Sequence, residues 1–147
     1  MKAFIGIDPG KSGGVAIIRD DGVIVVEPYS DEGYIKMMKA CSQCESVRVC
    51  IEHVSAMPKQ GVVGVFTFGK EAGFLEGVLQ ALGISYQLIR PQTWKKEFGL
   101  SSDKQASIDV CRRLFPSVNL LATERCRKPH DGMAEALLMA EYARRKL

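Results

Sequence analysis

The sequence has no apolar run of the roughly 18 residues that a bilayer-spanning helix needs, so no transmembrane helix is expected. Its five cysteines (Cys41, Cys44, Cys50, Cys111 and Cys126) are odd in number, which argues against a closed disulfide framework. Cys41 and Cys44 form a single C-x-x-C, but no second pair stands at zinc spacing, so small residues on a helix are the expectation there. No repeat, low-complexity stretch or linker breaks the chain, and 147 residues suit one domain spanning 1–147. Near the start, Asp8-Pro9-Gly10 stands where a signal peptide would continue its apolar stretch, so a cytoplasmic location is expected.

What is present is an ordinary globular balance, 46% hydrophobic and 25% charged. The net charge of +3 is unevenly spread. Residues 1–89 carry 8 basic and 10 acidic groups, whereas residues 90–147 carry 12 basic and 7 acidic groups. Such asymmetry is expected of a nucleic-acid binder, and a solvated basic face shares it.

Period and punctuation predict the elements. Residues 3–8 read as a strand closed by Pro9-Gly10, 14–19 as a second, and 23–27 as a third after the hairpin turn Asp20-Asp21-Gly22. A helix capped by Asp31 runs to about Cys44. The nearly continuous apolar run 47–53 predicts a buried central strand. After a loop at 55–60 come a helix over 61–81, ended at Gly83, and a fifth strand over 84–89. Pro91 opens a short helix to Phe98, Ser101 or Ser102 caps one to Phe115, and Pro129 or His130 starts the last. The order βββ-α-β-α-β-α-α indicates an α/β fold with a mixed five-stranded sheet, three strands antiparallel and then parallel, flanked by helices on both faces.

Four acids carry the chemistry. Asp8 and Glu52 end the first and fourth strands, where α/β proteins place their sites. If those strands are neighbours, the two like charges need a cation between them, and hard oxygen ligands suit Mg²⁺ or Mn²⁺. Asp131 and Glu135 are four apart on the last helix, on a face continued by Leu138 and Tyr142 that points inward. Each acid alone has a plainer reading. A strand-end Asp forms turns, and Asp131 suits a helix start through the macrodipole.

Three segments together resemble the RuvC family of Holliday-junction resolvases, in the branch shared by phages, bacteria and the plant chloroplast resolvase. They are Ile5–Ala16 (IGIDPGKSGGVA), Ile51-Glu52-His53 and His130–Ala140 (HDGMAEALLMA), supported by Arg90–Lys95 (RPQTWK) and Asp103–Ser107 (DKQAS). The resemblance implies a ribonuclease H-like fold and a homodimer that cuts four-way DNA junctions with paired symmetric nicks. It implies two Mg²⁺ (or Mn²⁺) per site held by Asp8, Glu52, Asp131 and Glu135, and neither an organic cofactor nor a membrane partner. The setting it implies is the cytoplasm of a bacterium or a phage-infected host. Better-known bacterial members space the last two ligands three apart, sometimes with His first. Here the spacing is four from Asp131 or five from His130, and His130 remains the competitor.

Lys104 either approaches the phosphate or is a solvated lysine. DNA contacts are expected from Lys11 and Ser12 after the first motif and from Met57, Lys59 and Gln60 after the second. Lys95, Lys96, Arg112, Arg125, Arg127 and Lys128 supply the basic half. Met57, Gln60, Phe66 and Phe68 could stack at a branch point, with core packing the expectation for the two phenylalanines. Gly69, Gly73 and Gly77 form a smooth helical stripe that packs on the sheet or on a second subunit. A flap or branched-DNA endonuclease on the same scaffold is the nearer alternative; an actin-like ATPase, which needs two such domains, and a non-catalytic DNA binder are the others.

Overall fold

The computed structural model describes residues 1–55 and 57–147. Its five strands are β1 (Lys2–Asp8), β2 (Gly14–Arg19), β3 (Ile24–Pro28), β4 (Ser46–Glu52) and β5 (Tyr86–Ile89). The helices are α1 (Asp31–Cys41), α2 (Val62–Ala81), α3 (Pro91–Glu97), α4 (Lys104–Leu114) and α5 (Asp131–Lys146). The strands form one sheet in the order β3-β2-β1-β4-β5. The β1–β2 and β2–β3 pairs are antiparallel, and β4 runs parallel to both β1 and β5. This is the mixed sheet that the element order predicts.

Strand alternation divides the core in two. Ile5 and Ile7 of β1, Val15 and Ile17 of β2, and Val49 and Ile51 of β4 pack beneath α1 and α2. Ala16, Ile18 and Cys50 point the other way, toward Trp94 of α3, Ile108 and Cys111 of α4, and the apolar residues of α5 from Met133 to Ala143. Helices therefore cover both faces. Among the described residues no helix is long and apolar enough to cross a membrane.

The close seating of α5 on the sheet depends on three glycines. A Cβ on Gly6 would collide with the Ala136 carbonyl oxygen and the Ala140 amide nitrogen. One on Gly14 would lie 2.6 Å from the Gly132 carbonyl oxygen, and one on Gly132 would collide with that of Ser12. Helix and sheet thus touch backbone to backbone, which draws the start of α5 against the end of β1. The sheet lies on one side and α4 packs on the other, so every residue from Gly132 to Ala143 is buried. Sequence spacing predicts an inward stripe for this helix; the structure makes it a central helix.

Several boundaries differ from the sequence expectation. Ser30, not Asp31, caps α1 through its hydroxyl, which accepts from the Gly33 amide at 3.1 Å, and α1 stops at Cys41 rather than Cys44. Asp103 caps α4 in place of Ser101 or Ser102. β5 starts at Tyr86, two residues later than the pattern suggests. Gly83 does take the left-handed conformation after α2, with φ 68°.

Candidate metal centre

The register Ile7 opposite Ile51 in the parallel β1–β4 pair brings Asp8 and Glu52 out at the same sheet rim, side by side. The glycine-mediated approach of α5 adds Glu135 from below. Asp8, Glu52 and Glu135 each offer a carboxylate oxygen, and these oxygens all lie within 4.8 Å of one another. Glu135 is only 7% exposed.

Three acids so close and so dry cannot all stay ionised without help. Burial, then the Glu52 charge, then the Glu135 charge and a hydrogen bond with Glu135 push Asp8 up to about 8, against a smaller opposing effect of Lys104. Burial also raises Glu52, while a hydrogen bond from Trp94 draws it back down. A set of hard oxygen donors that repel one another in a desolvated pocket suits a divalent cation in both chemistry and charge.

Asp131 lies outside this cluster of three. Its Oδ2 accepts from Lys104 Nζ at 2.7 Å, and that bond, opposed by partial burial, holds its carboxyl below the ordinary range. Lys104 is thus an exposed lysine, 69% of its side chain accessible, that is paired with the Asp131 carboxylate. His130 caps α5, its Nδ1 accepting from the Met133 amide at 3.0 Å, so one ring nitrogen is spent on the helix start.

Of the basic and polar residues expected at DNA, Lys11, Ser12, Met57, Lys59, Gln60, Lys96, Arg112, Arg125, Arg127 and Lys128 are exposed. Lys95 is half-buried, its Nζ 5.6 Å from the Trp94 ring centroid. Lys11 and Ser12 leave the end of β1, Met57–Gln60 follow β4, and Arg125–Lys128 lead into α5, so all depart from elements that carry the acids. Core packing of Phe66 is overturned: it is 73% exposed on the first turns of α2, while Phe68 is half-buried. Every residue from Val62 to Thr67 is exposed, and α2 joins the core only from Phe74 onward, so no core receives Phe66 there. Gly69, Gly73 and Gly77 likewise meet nothing that a Cβ would touch, so packing of that stripe on the sheet is also overturned.

One interaction escaped the sequence reading. Trp94 Nε1 donates to Glu52 Oε2 at 2.9 Å from a side chain with no exposure. The only tryptophan, set three residues after Pro91, was a visible signal without an evident partner.

Sheet order, two-sided helix cover and an acidic rim define a ribonuclease H-like α/β fold. Within that class the chain is similar to RuvC of Thermus thermophilus in complex with a Holliday junction substrate, with 16% identity and a TM-score of 0.62 over 99% of this chain and 97% of that one. A second Thermus thermophilus RuvC structure is similar over 97% of this chain and 96% of that one, with 18% identity and a TM-score of 0.51. At such identities the likeness establishes a shared fold. No protein-family model matches the chain, and no curated protein matches it.

Proposed function

We propose that residues 1–147 form a single nuclease domain that resolves four-way DNA junctions by paired symmetric nicks, in the service of recombination and repair. The observation that carries this reading is the convergence of Asp8, Glu52 and Glu135 on one point of the sheet rim. The similarity in fold to a RuvC bound to a Holliday junction supports branched DNA as the substrate.

In this reading Asp8, Glu52, Asp131 and Glu135 hold two Mg²⁺ or Mn²⁺ ions. Bound divalent cations supply water activation and neutralise charge that builds on the phosphate during in-line hydrolysis. Asp131 keeps the Lys104 ammonium at the mouth of the acidic cluster, where it can meet a phosphate oxygen. Lys11, Ser12, Lys59, Lys95, Lys96, Arg125, Arg127 and Lys128 hold the backbone, and Met57 and Gln60 face the branch. No organic cofactor and no membrane enter the scheme, and the work is cytoplasmic.

A two-fold junction cut twice suits a two-fold enzyme. The exposed Val62, Val63 and Phe66 continue the Gly69-Gly73-Gly77 side of α2, and this projecting helix is the proposed contact of a homodimer.

The deciding experiment offers labelled four-way junction, flap and linear duplex in Mg²⁺. Symmetric nicks confined to the junction are expected; cutting of flap at the same rate assigns a less selective branched-DNA endonuclease, and equal cutting of linear duplex sinks the junction reading. Asp8→Asn is expected to abolish cleavage and spare DNA binding. Asp131→Asn is expected to lower the Mn²⁺ stoichiometry per chain from two to one, read by equilibrium dialysis.

A further inference from the structure

Of the three converging carboxylates, Glu52 alone, among the described residues, accepts a hydrogen bond from a side-chain N–H. The donor belongs to Trp94, the only tryptophan, with no surface exposure. An indole N–H can only donate. Buried, and with Glu52 as its one hydrogen-bond partner among the described residues, it would carry a desolvation penalty if Glu52 turned away. The bond therefore holds the glutamate in one orientation, with Oε2 on the indole and Oε1 left for another partner.

The helix that supplies the indole is itself fixed. Pro91 starts α3, and at its other end Glu97 pairs with Arg145 at 3.4 Å and Lys146 at 3.5 Å. The Arg145 guanidinium also lies over the Phe98 ring at 5.1 Å and bonds the buried Glu141 at 2.7 Å. Both Arg145 and Glu141 belong to α5, the helix that carries Glu135. The orientation of Glu52 and the position of Glu135 are thus referred to the same helix.

We propose that Trp94 is a positioning residue of the metal centre, orienting Glu52 as a ligand through its indole N–H. A neutral donor suits this task better than a lysine, because it steadies the carboxylate without adding positive charge next to a cation. Outer donors of this kind typically contribute 10–100-fold in metal affinity. The proposal rests on the metal-dependent reading given above.

The test uses the full chain and Mn²⁺ alone as probe, with affinity from calorimetry and the indole emission followed in parallel. Trp94 is replaced biosynthetically by benzothienylalanine, which keeps the ring shape and puts sulfur where the N–H stood, and separately by Phe. In the wild type, Mn²⁺ is expected to change the emission along the same isotherm as the heat. The isostere is expected to bind Mn²⁺ 10–100-fold more weakly while its metal-free form still melts in one cooperative transition. Should Trp94→Phe fail to fold, the isostere alone decides. Equal Mn²⁺ affinity in wild type and isostere overturns the positioning role and leaves the nuclease reading standing. Absence of Mn²⁺ binding by the wild type removes the metal centre itself, and the positioning role with it.

Discussion

Asp8 stands where β1 leaves the sheet, with Glu52 beside it and Glu135 beneath. Burial and these two neighbours lift its carboxyl from 3.8 to about 8. In the metal-free protein a raised acid pKa favours the neutral form, so the associated stability is complete below about 3.8 and lost as pH rises through about 8. Asp8→Asn removes this dependence. Its melting temperature in EDTA is expected to exceed that of the wild type by a margin that widens between pH 5 and pH 9; a constant margin would contradict the coupling. The same proton must leave when a cation binds, so wild-type Mn²⁺ affinity is expected to rise toward tenfold per pH unit below pH 8 and then level off. Competitive titration with a fluorescent chelator checks the slope.

Among the elements, α5 separates what spacing reveals from what packing decides. The i,i+4 relation of Asp131 and Glu135 was legible, as were the strand ends at Asp8 and Glu52 and the turn at Gly22, whose φ is 92°. The fates of the two helix acids were not. Glu135 reaches the cluster because Gly6, Gly14 and Gly132 let backbones meet, whereas Asp131, one turn earlier, is captured by Lys104. Tertiary partners of this kind leave no periodic trace, and the same holds for the Trp94–Glu52 bond. Phe66 differs for a related reason: an aromatic at helical spacing reads as core, and only the late point at which α2 meets the core, from Phe74 onward, says otherwise. Glycine substitutions test the packing account. Gly6→Ala is expected to destabilise the fold by about 3 kcal/mol in urea titrations, at the upper end of ordinary overpacking, because backbone and not a flexible side chain blocks the added methyl. Gly69→Ala, where a methyl meets nothing, is expected to leave the fold unchanged or stabilise it by up to ~1 kcal/mol.

For the molecule as a whole, the outward half of α2 is the least self-sufficient part of the surface. Val62 is 87% exposed, Val63 79% and Phe66 73%, and none of the three joins either core cluster among the described residues. If the proposed homodimer forms through α2, Phe66→Asp is expected to shift light-scattering mass from dimer to monomer without lowering the melting temperature of the dilute chain; a wild-type monomer would remove the proposed dimer, and an unchanged dimer mass in the variant would remove α2 from its contact. The distribution of the acids along the chain has a different consequence. Asp8 lies in the first strand and Glu135 in the last helix, while α5 is also the central slab of one core. A nascent chain therefore lacks both its third carboxylate and half of its interior until α5 has left the ribosome. Under the proposed nuclease function, a partly made polypeptide carries no complete acidic cluster before α5 emerges, so the order of the elements would delay assembly of the centre until the fold can close.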